Sequence, residues 1–202
     1  GLALKTVLSY DNSQVSDHVY NNALHYNGQS SNGSVNEMTT NYNKLVSSST
    51  ANYTKQFGLN GLNILAGFET ENNLTDFQRA TGVDLGNSEL QSVSTAGTVS
   101  SNAYNWGNSM MSVLSRVEYN YNQRYFLSGS FRRDGSSKLS PTTRWGTFWS
   151  VAGSWNIKEE GFLKDQTIVD NLRLRASYGT NGTLPGSDFG WRELTSYTVK
   201  YL

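Results

Sequence analysis

Cysteine is missing from the 202-residue chain, which excludes a disulfide framework and any thiolate metal site. A net charge is missing too. Sixteen basic and sixteen acidic residues cancel, so the chain has none of the clustered basic surface that nucleic-acid binders carry, and no nucleic-acid partner is expected. No stretch approaches the ~20 apolar residues of a transmembrane helix. That absence leaves strand-spanning membrane proteins open, because a barrel strand presents only alternate residues to lipid. The first residue is Gly1, and no basic segment leads into an apolar run. The chain opens within one alternating segment (1–10) and closes within another (191–202), so it is expected to be an excerpt of a longer protein.

The usual marks of catalysis are also lacking. His18 and His25 are the two histidines, set in a polar stretch without a carboxylate motif beside them, which argues against zinc. Glu159-Glu160 are adjacent and Glu69 and Glu71 are two apart. Sequence neighbours do not make the shaped two-carboxylate cleft of a glycosidase, and charged strand ends explain them better. No phosphate-binding loop, nucleophile elbow or dinucleotide fingerprint occurs. The chain is read as a non-enzyme without a cofactor.

What the sequence does contain is aromatic residues (12%) and glycine (19 residues) in a background rich in Asn, Ser and Thr, with 36% hydrophobic residues overall. These are arranged with a period of two. In 111–121, Met111, Val113, Val117, Tyr119 and Tyr121 alternate with Ser112, Arg116, Glu118 and Asn120. In 145–157, Trp145, Trp149, Val151, Trp155 and Ile157 alternate with Gly146, Ser150, Ser154 and Asn156. In 171–179, Leu172, Leu174, Ala176 and Tyr178 alternate with Asn171, Arg173, Arg175 and Ser177. The pattern recurs at 2–10, 53–59, 62–68, 125–133 and 191–201, giving about eight strands of roughly 9–13 residues, the length a tilted strand needs to cross a bilayer.

Connections alternate in length. Tight turns are expected at Asn60-Gly61 and at Asn122-Gln123-Arg124. Segments 11–40 and 71–109 are expected to be long polar loops, and 134–144 and 180–190 intermediate ones. Segment 158–169 departs from this scheme and is expected to form a brief helix at the short-turn end. Short turns at one end and long loops at the other follow the outer-membrane plan of periplasmic turns and extracellular loops. Aromatic residues gather near strand ends, as interfacial rings do: Tyr119, Tyr121, Tyr125 and Phe126 at one level, Phe131, Trp145 and Tyr178 at the other. The fold class is therefore all-β, an antiparallel up-and-down transmembrane β-barrel segment. Pattern alone leaves two alternatives, a soluble carbohydrate-binding β-sandwich and a passive porin-like barrel.

Segment 116–182 is the most specific part. It contains Tyr119-x-Tyr121 with Arg124-Tyr125, then Ser130-Phe131-Arg132-Arg133-Asp134-Gly135-Ser136-Ser137. After these come Arg144-Trp145-Gly146, Ser154-Trp155, Glu160-x-Phe162-Leu163, and a run from Asn171 through Arg173, Arg175 and Tyr178 to Gly179. In order and spacing this resembles the SusC/RagA family of TonB-dependent transporters of Bacteroidetes. Lys138-Leu139, Trp149 and Gly182-Thr183 depart from the family pattern, all at loops or strand ends. The resemblance implies part of the wall of a plugged barrel of about 22 strands. It also implies an outer-membrane importer of large nutrients, oligosaccharides or peptides, capped by a SusD-like surface lipoprotein. Energy would come from TonB–ExbB–ExbD through regions not recognisable here, since neither plug domain nor TonB box is found in 1–202.

The family motif is read as structural. Asp134-Gly135-Ser136-Ser137 has turn chemistry, with Gly135 tolerating positive φ. Arg132 and Arg133 must face opposite ways; the inward one is expected to pair with Glu118 or Asp134, the alternative being that it lines the solute path. Arg173 and Arg175 share the polar face and point inward, since each would cost on the order of 2–4 kcal/mol at the lipid midplane. The ligand-binding candidates are Tyr104 and Trp106, rings beside amides in a long loop, and Trp191, which follows another loop, all suited to stacking on a sugar or peptide. Packing of the loops themselves, or a place in the interfacial belt, is the alternative for all three.

Overall fold

A computed structural model describes residues 1–163 and 166–192. Seven strands form one sheet: β1 (Leu2–Asn21), β2 (Ser34–Phe57), β3 (Asn60–Leu85), β4 (Ala96–Tyr121), β5 (Tyr125–Ser136), β6 (Trp145–Asn156) and β7 (Arg173–Gly179). Each strand neighbours the next in sequence, an antiparallel up-and-down meander. Of the eight expected strands, seven coincide with these; the eighth, 191–201, lies almost wholly outside the described residues, and its first residue Trp191 is in a turn. By its internal contacts the chain divides into two units, one of 1–8, 46–71 and the chain from Asn108 onward, the other of 9–45 and 72–107.

The first unit contains the hairpins β4–β5–β6–β7. Their register runs from Tyr121↔Tyr125 to Met110↔Ser136, from Tyr125↔Trp155 to Gly135↔Trp145, and from Asn156↔Arg173 to Ser150↔Gly179. Because side chains alternate across the sheet, this register sorts residues onto two faces. Met111, Val113, Val117, Tyr119, Leu127, Phe131, Val151, Trp155, Leu174 and Tyr178 fall on one. Ser112, Arg116, Glu118, Ser128, Arg132, Ser150, Ser154, Arg173 and Arg175 fall on the other.

Among the described residues nothing packs upon the apolar face. Leu127 is 62% exposed and Leu174 61%, while the buried hydrophobic residues among those described are Val35 and Leu85 alone. A sheet whose large apolar side chains form one open face, while Ser112 is fully buried, has its hydrophobic face turned to a surrounding medium rather than to a core. At the turn end of that face Tyr121, Tyr125 and Trp155 stack in a row, with centroids 6.4 Å apart at each step. At the other end Trp149 packs against Tyr178, with centroids 5.8 Å apart.

Turn chemistry fits the sequence with one shift. The β4–β5 connection is Asn122-Gln123-Arg124 as expected, with Asn122 and Gln123 at φ 48° and 54°. The β2–β3 turn falls on Gly58-Leu59 instead of Asn60-Gly61, because Gly58 supplies the positive φ, 61°, at the first central position. The expected helix in 158–169 shrinks to one 3₁₀ turn, Ile157–Glu159, followed by turns whose carbonyls at Leu163 and Gln166 accept from Lys158 Nζ.

The second unit corrects the largest expectation. Most of 11–40 and 71–109 is strand, not loop; β2, β3 and β4 have 24, 26 and 26 residues, and the connections reduce to 22–33 and 86–95. Period-two hydrophobicity is lost there because both faces of the ladder are polar. Cross-strand amides, hydroxyls and charges tie it: Asn43 Oδ1 accepts from Tyr10 and Asn12 at 2.8 and 2.7 Å, and Asn36 Oδ1 accepts from Arg79 and Thr81. His18 faces Glu37 at 2.7 Å.

Candidate functional site

The polar face of β2–β7 carries the first unit's functional chemistry. Its centre is Arg132 on β5. One guanidinium nitrogen lies 3.1 Å from Glu69 Oε2 on β3, Nε donates to Asp134 Oδ1 at 2.7 Å, and the remaining terminal nitrogen donates to Ser112 Oγ on β4 at 2.9 Å. Ser48 on β2 donates to the other oxygen of Glu69 at 3.3 Å. Four strands are thereby cross-linked through one cation, and its donors are already directed at protein acceptors. Of the two partners expected for an inward arginine, Asp134 is confirmed; Glu118 instead takes Arg116 at 2.6 Å and Asn63 at 3.0 Å. Glu69 escaped sequence reasoning because its link to Arg132 depends on the pairing of distant strands.

Arg173 and Arg175 lie on this face as expected, opposite Asn156 and Ser154, and the Arg173 guanidinium sits 5.1 Å from the Phe126 ring centroid. Between these arginines and Glu118 the wall is low, because Ser128, Ala152, Ser154 and Ser177 are small. The result is a hollow of about 570 Å³ with Asn63, Glu118, Phe126 and Arg175 among its lining residues. Charges of both signs, an aromatic ring and hydroxyls suit a neutral polar or zwitterionic solute. Ser154 Oγ and Asn156 Oδ1 have no protein partner among the described residues.

At the turn end Glu160 organises the aromatic row. Its carboxylate accepts from Tyr125 Oη at 2.6 Å and Trp155 Nε1 at 3.0 Å, with Arg124 3.3 Å away. These hydrogen bonds, from Tyr125 first, hold the Glu160 carboxyl below its ordinary range. Sequence places Glu160 at a strand end and in the motif Glu160-x-Phe162-Leu163 but does not reveal these partners, which meet it only after folding.

Asp134-Gly135-Ser136 of the family motif occupy strand, not turn, positions, and only Ser137 begins the turn. Asp134, Gly135 and Ser136 end β5, paired with Ser112, Met111 and Met110, and Gly135 does not adopt positive φ. Its missing side chain serves Trp145 instead: a Cβ there would come within 2.8 Å of the indole ring. Gly146 pairs with Asp134, and Gly179 with Ser150. Ser137 follows the strand, its hydroxyl accepting from Ser109 N at 2.8 Å.

The ligand candidates separate. Tyr104 and Trp106 belong to β4 rather than to a loop. They stack with centroids 5.4 Å apart, and Phe77 on β3 adds a third ring 5.0 Å from Tyr104. Trp191 is committed within the chain, with Nε1 pointing to Ser137 O at 3.4 Å and Arg192 over its ring at 4.9 Å.

No family model matches the chain. It is 35% identical over 151 residues to the TonB-dependent receptor SusC of Bacteroides thetaiotaomicron, covering 74% of this chain and 15% of that protein. It is 29% identical over 147 residues to a TonB-dependent receptor of Formosa agariphila, covering 68% and 14%. The chain thus spans about a seventh of the length of these curated relatives. Among solved structures, the RagAB peptide transporter superposes with a TM-score of 0.87 at 23% identity, over 96% of this chain and 22% of that one. With the motifs of 116–182, the two-faced meander and these matches together, the chain belongs to the SusC/RagA family of TonB-dependent transporters, as a part of their β-barrel.

Proposed function

We propose that this segment forms wall in an energised outer-membrane importer of large nutrients, its apolar face against lipid and its polar face lining the path. The observation that carries this reading is the sorting of β4–β7 into a face of open aliphatic and aromatic side chains and a face of hydroxyls, amides and paired charges. A barrel wall makes both faces favourable: hydrocarbon solvates one, water the other, and the ladder satisfies the backbone. Energy would reach the importer from TonB–ExbB–ExbD, and a SusD-like lipoprotein would cap it; relatives named for SusC and RagAB support that assembly.

For the ligand we propose an oligosaccharide or a peptide. The hollow beside Arg175 and Glu118 offers charges of both signs and a ring to such a solute. The stacked Phe77, Tyr104 and Trp106 offer flat surface to either ligand class. Trp191 drops to third place because its ring is already covered by Arg192. In the full-length transporter, Trp106→Ala should weaken ligand affinity several-fold by titration calorimetry, since a stacked ring contributes about 1 kcal/mol. Unchanged affinity would remove Trp106 from the path.

A further inference from the structure

Arg133 is a cation on the wrong face. The register that turns Arg132 to the polar side puts Arg133 among Val113, Phe131, Thr147 and Trp149, on the face of open apolar side chains. It is exposed, and no carboxylate pairs with it among the described residues; its contact is the Trp145 ring, 5.3 Å from the guanidinium carbon. That ring is itself fixed, because it lies over Gly135 where any Cβ would collide with it. Beside Arg133 stands Thr147, its direct cross-strand partner and also exposed. A guanidinium, a cross-strand hydroxyl and an indole ring thus lie together, with no anionic acceptor for the guanidinium among the described residues. Their level matters as well. Arg133 is eight residues along β5 from Tyr125 of the turn-end aromatic row, about 27 Å of strand or roughly 20 Å of height at the usual strand tilt, which places it toward the opposite boundary of the hydrocarbon and three residues from the strand's end at Ser136.

We infer that Arg133, with Trp145 and Thr147, forms a binding site for the phosphate of an anionic outer-leaflet lipid. The planar guanidinium offers two parallel N–H donors to phosphate oxygens, Thr147 supplies a third donor, and the Trp145 ring holds the cation at headgroup depth. Phe131 and Trp149, one cross-strand pair nearer the turn end, flank the acyl chains below, and Val113 stands beside Arg133 at its own level. The inference rests on the reading of this face as the lipid face, so its test must separate the two.

The full-length transporter, wild type and Arg133→Gln, is purified in mild detergent from its own outer membrane. Co-purified phosphorylated lipid is counted by native mass spectrometry, and binding to nanodiscs containing diphosphorylated or dephosphorylated lipid A is compared. The site predicts at least a five-fold loss of retained phosphorylated lipid in Arg133→Gln, partial retention in Arg133→Lys, and no discrimination by the variant between the two lipid A forms. Equal retention by wild type and Arg133→Gln overturns the site. Spin labels at Val151 and Leu127 report on the face itself: lipid-accessible labels with equal retention sink the phosphate site alone, whereas water-accessible labels sink the lipid-face reading and the site with it.

Discussion

Glu160 shows how one carboxylate can fix an interfacial belt. Tyr125 and Trp155 are amphipathic rings that could adopt many orientations at a headgroup boundary, and their polar edges converge on a single acceptor. Because its folded-state value lies below the ordinary 4.5, the ionised form is the one the fold favours. The stabilisation is therefore complete above the unfolded-state range and is lost as pH falls through the lower folded value. Glu160→Gln should lower the melting temperature at neutral pH and flatten its fall below about pH 5, measured calorimetrically on the full-length protein. An acid slope identical to wild type would show that the belt does not depend on this carboxylate. At this scale the sequence was partly legible. Side-chain alternation required Arg132 and Arg133 to face opposite ways and left Glu118 or Asp134 as partner of the inward one. Which arginine and which carboxylate needed the register, and Glu69 and Glu160 could not be assigned, because their partners are neighbours only after folding.

The hairpin β5–β6 shows what alternation reveals and what it hides. Strand existence was legible wherever one face is apolar, since period two is then written in hydrophobicity; all seven described strands coincide with such a stretch. Strand length was not. In β1–β4 the ladder continues into residues polar on both faces, such as Asn36, Asn43 and Thr81, where nothing in the composition separates strand from loop. Asp134-Gly135-Ser136 misled for a related reason: turn-forming residue types also serve where a strand must leave room. Gly135 shows this, its bare backbone lying under the Trp145 indole. Gly135→Val should destabilise the refolded barrel by about 1–3 kcal/mol through overpacking. Trp145→Ala in the same chain should recover much of that loss. Additive penalties in a denaturant-unfolding double-mutant cycle would mean that the ring does not depend on the glycine.

For the whole molecule, the decisive quantity is the difference between the two faces. Val151 and Ala152 are adjacent at the middle of β6 and differ in which side they face. If hydrocarbon meets one face and water the other, Val151→Arg should cost about 2–4 kcal/mol in lipid vesicles and Ala152→Arg well under half of that. Equal penalties would contradict the assignment of faces. The name of the family was legible in 116–182, whereas the ligand was not, because a wall segment supplies only part of the surface a solute meets.

The serines of the polar face have a consequence for movement. Ser130 and Ser150 share a hydrogen bond at 2.7 Å in which either oxygen can be the donor, and Ser128, Ser154 and Ser177 line the hollow nearby. A hydroxyl turns about one bond and switches from giving to accepting a proton. If the proposed ligand passes here, a surface made of such rotors keeps it satisfied at each successive position without offering it a deep well anywhere. In the importer proposed above, friction would stay low, residence would be brief, and directionality would have to come from elsewhere in the machine.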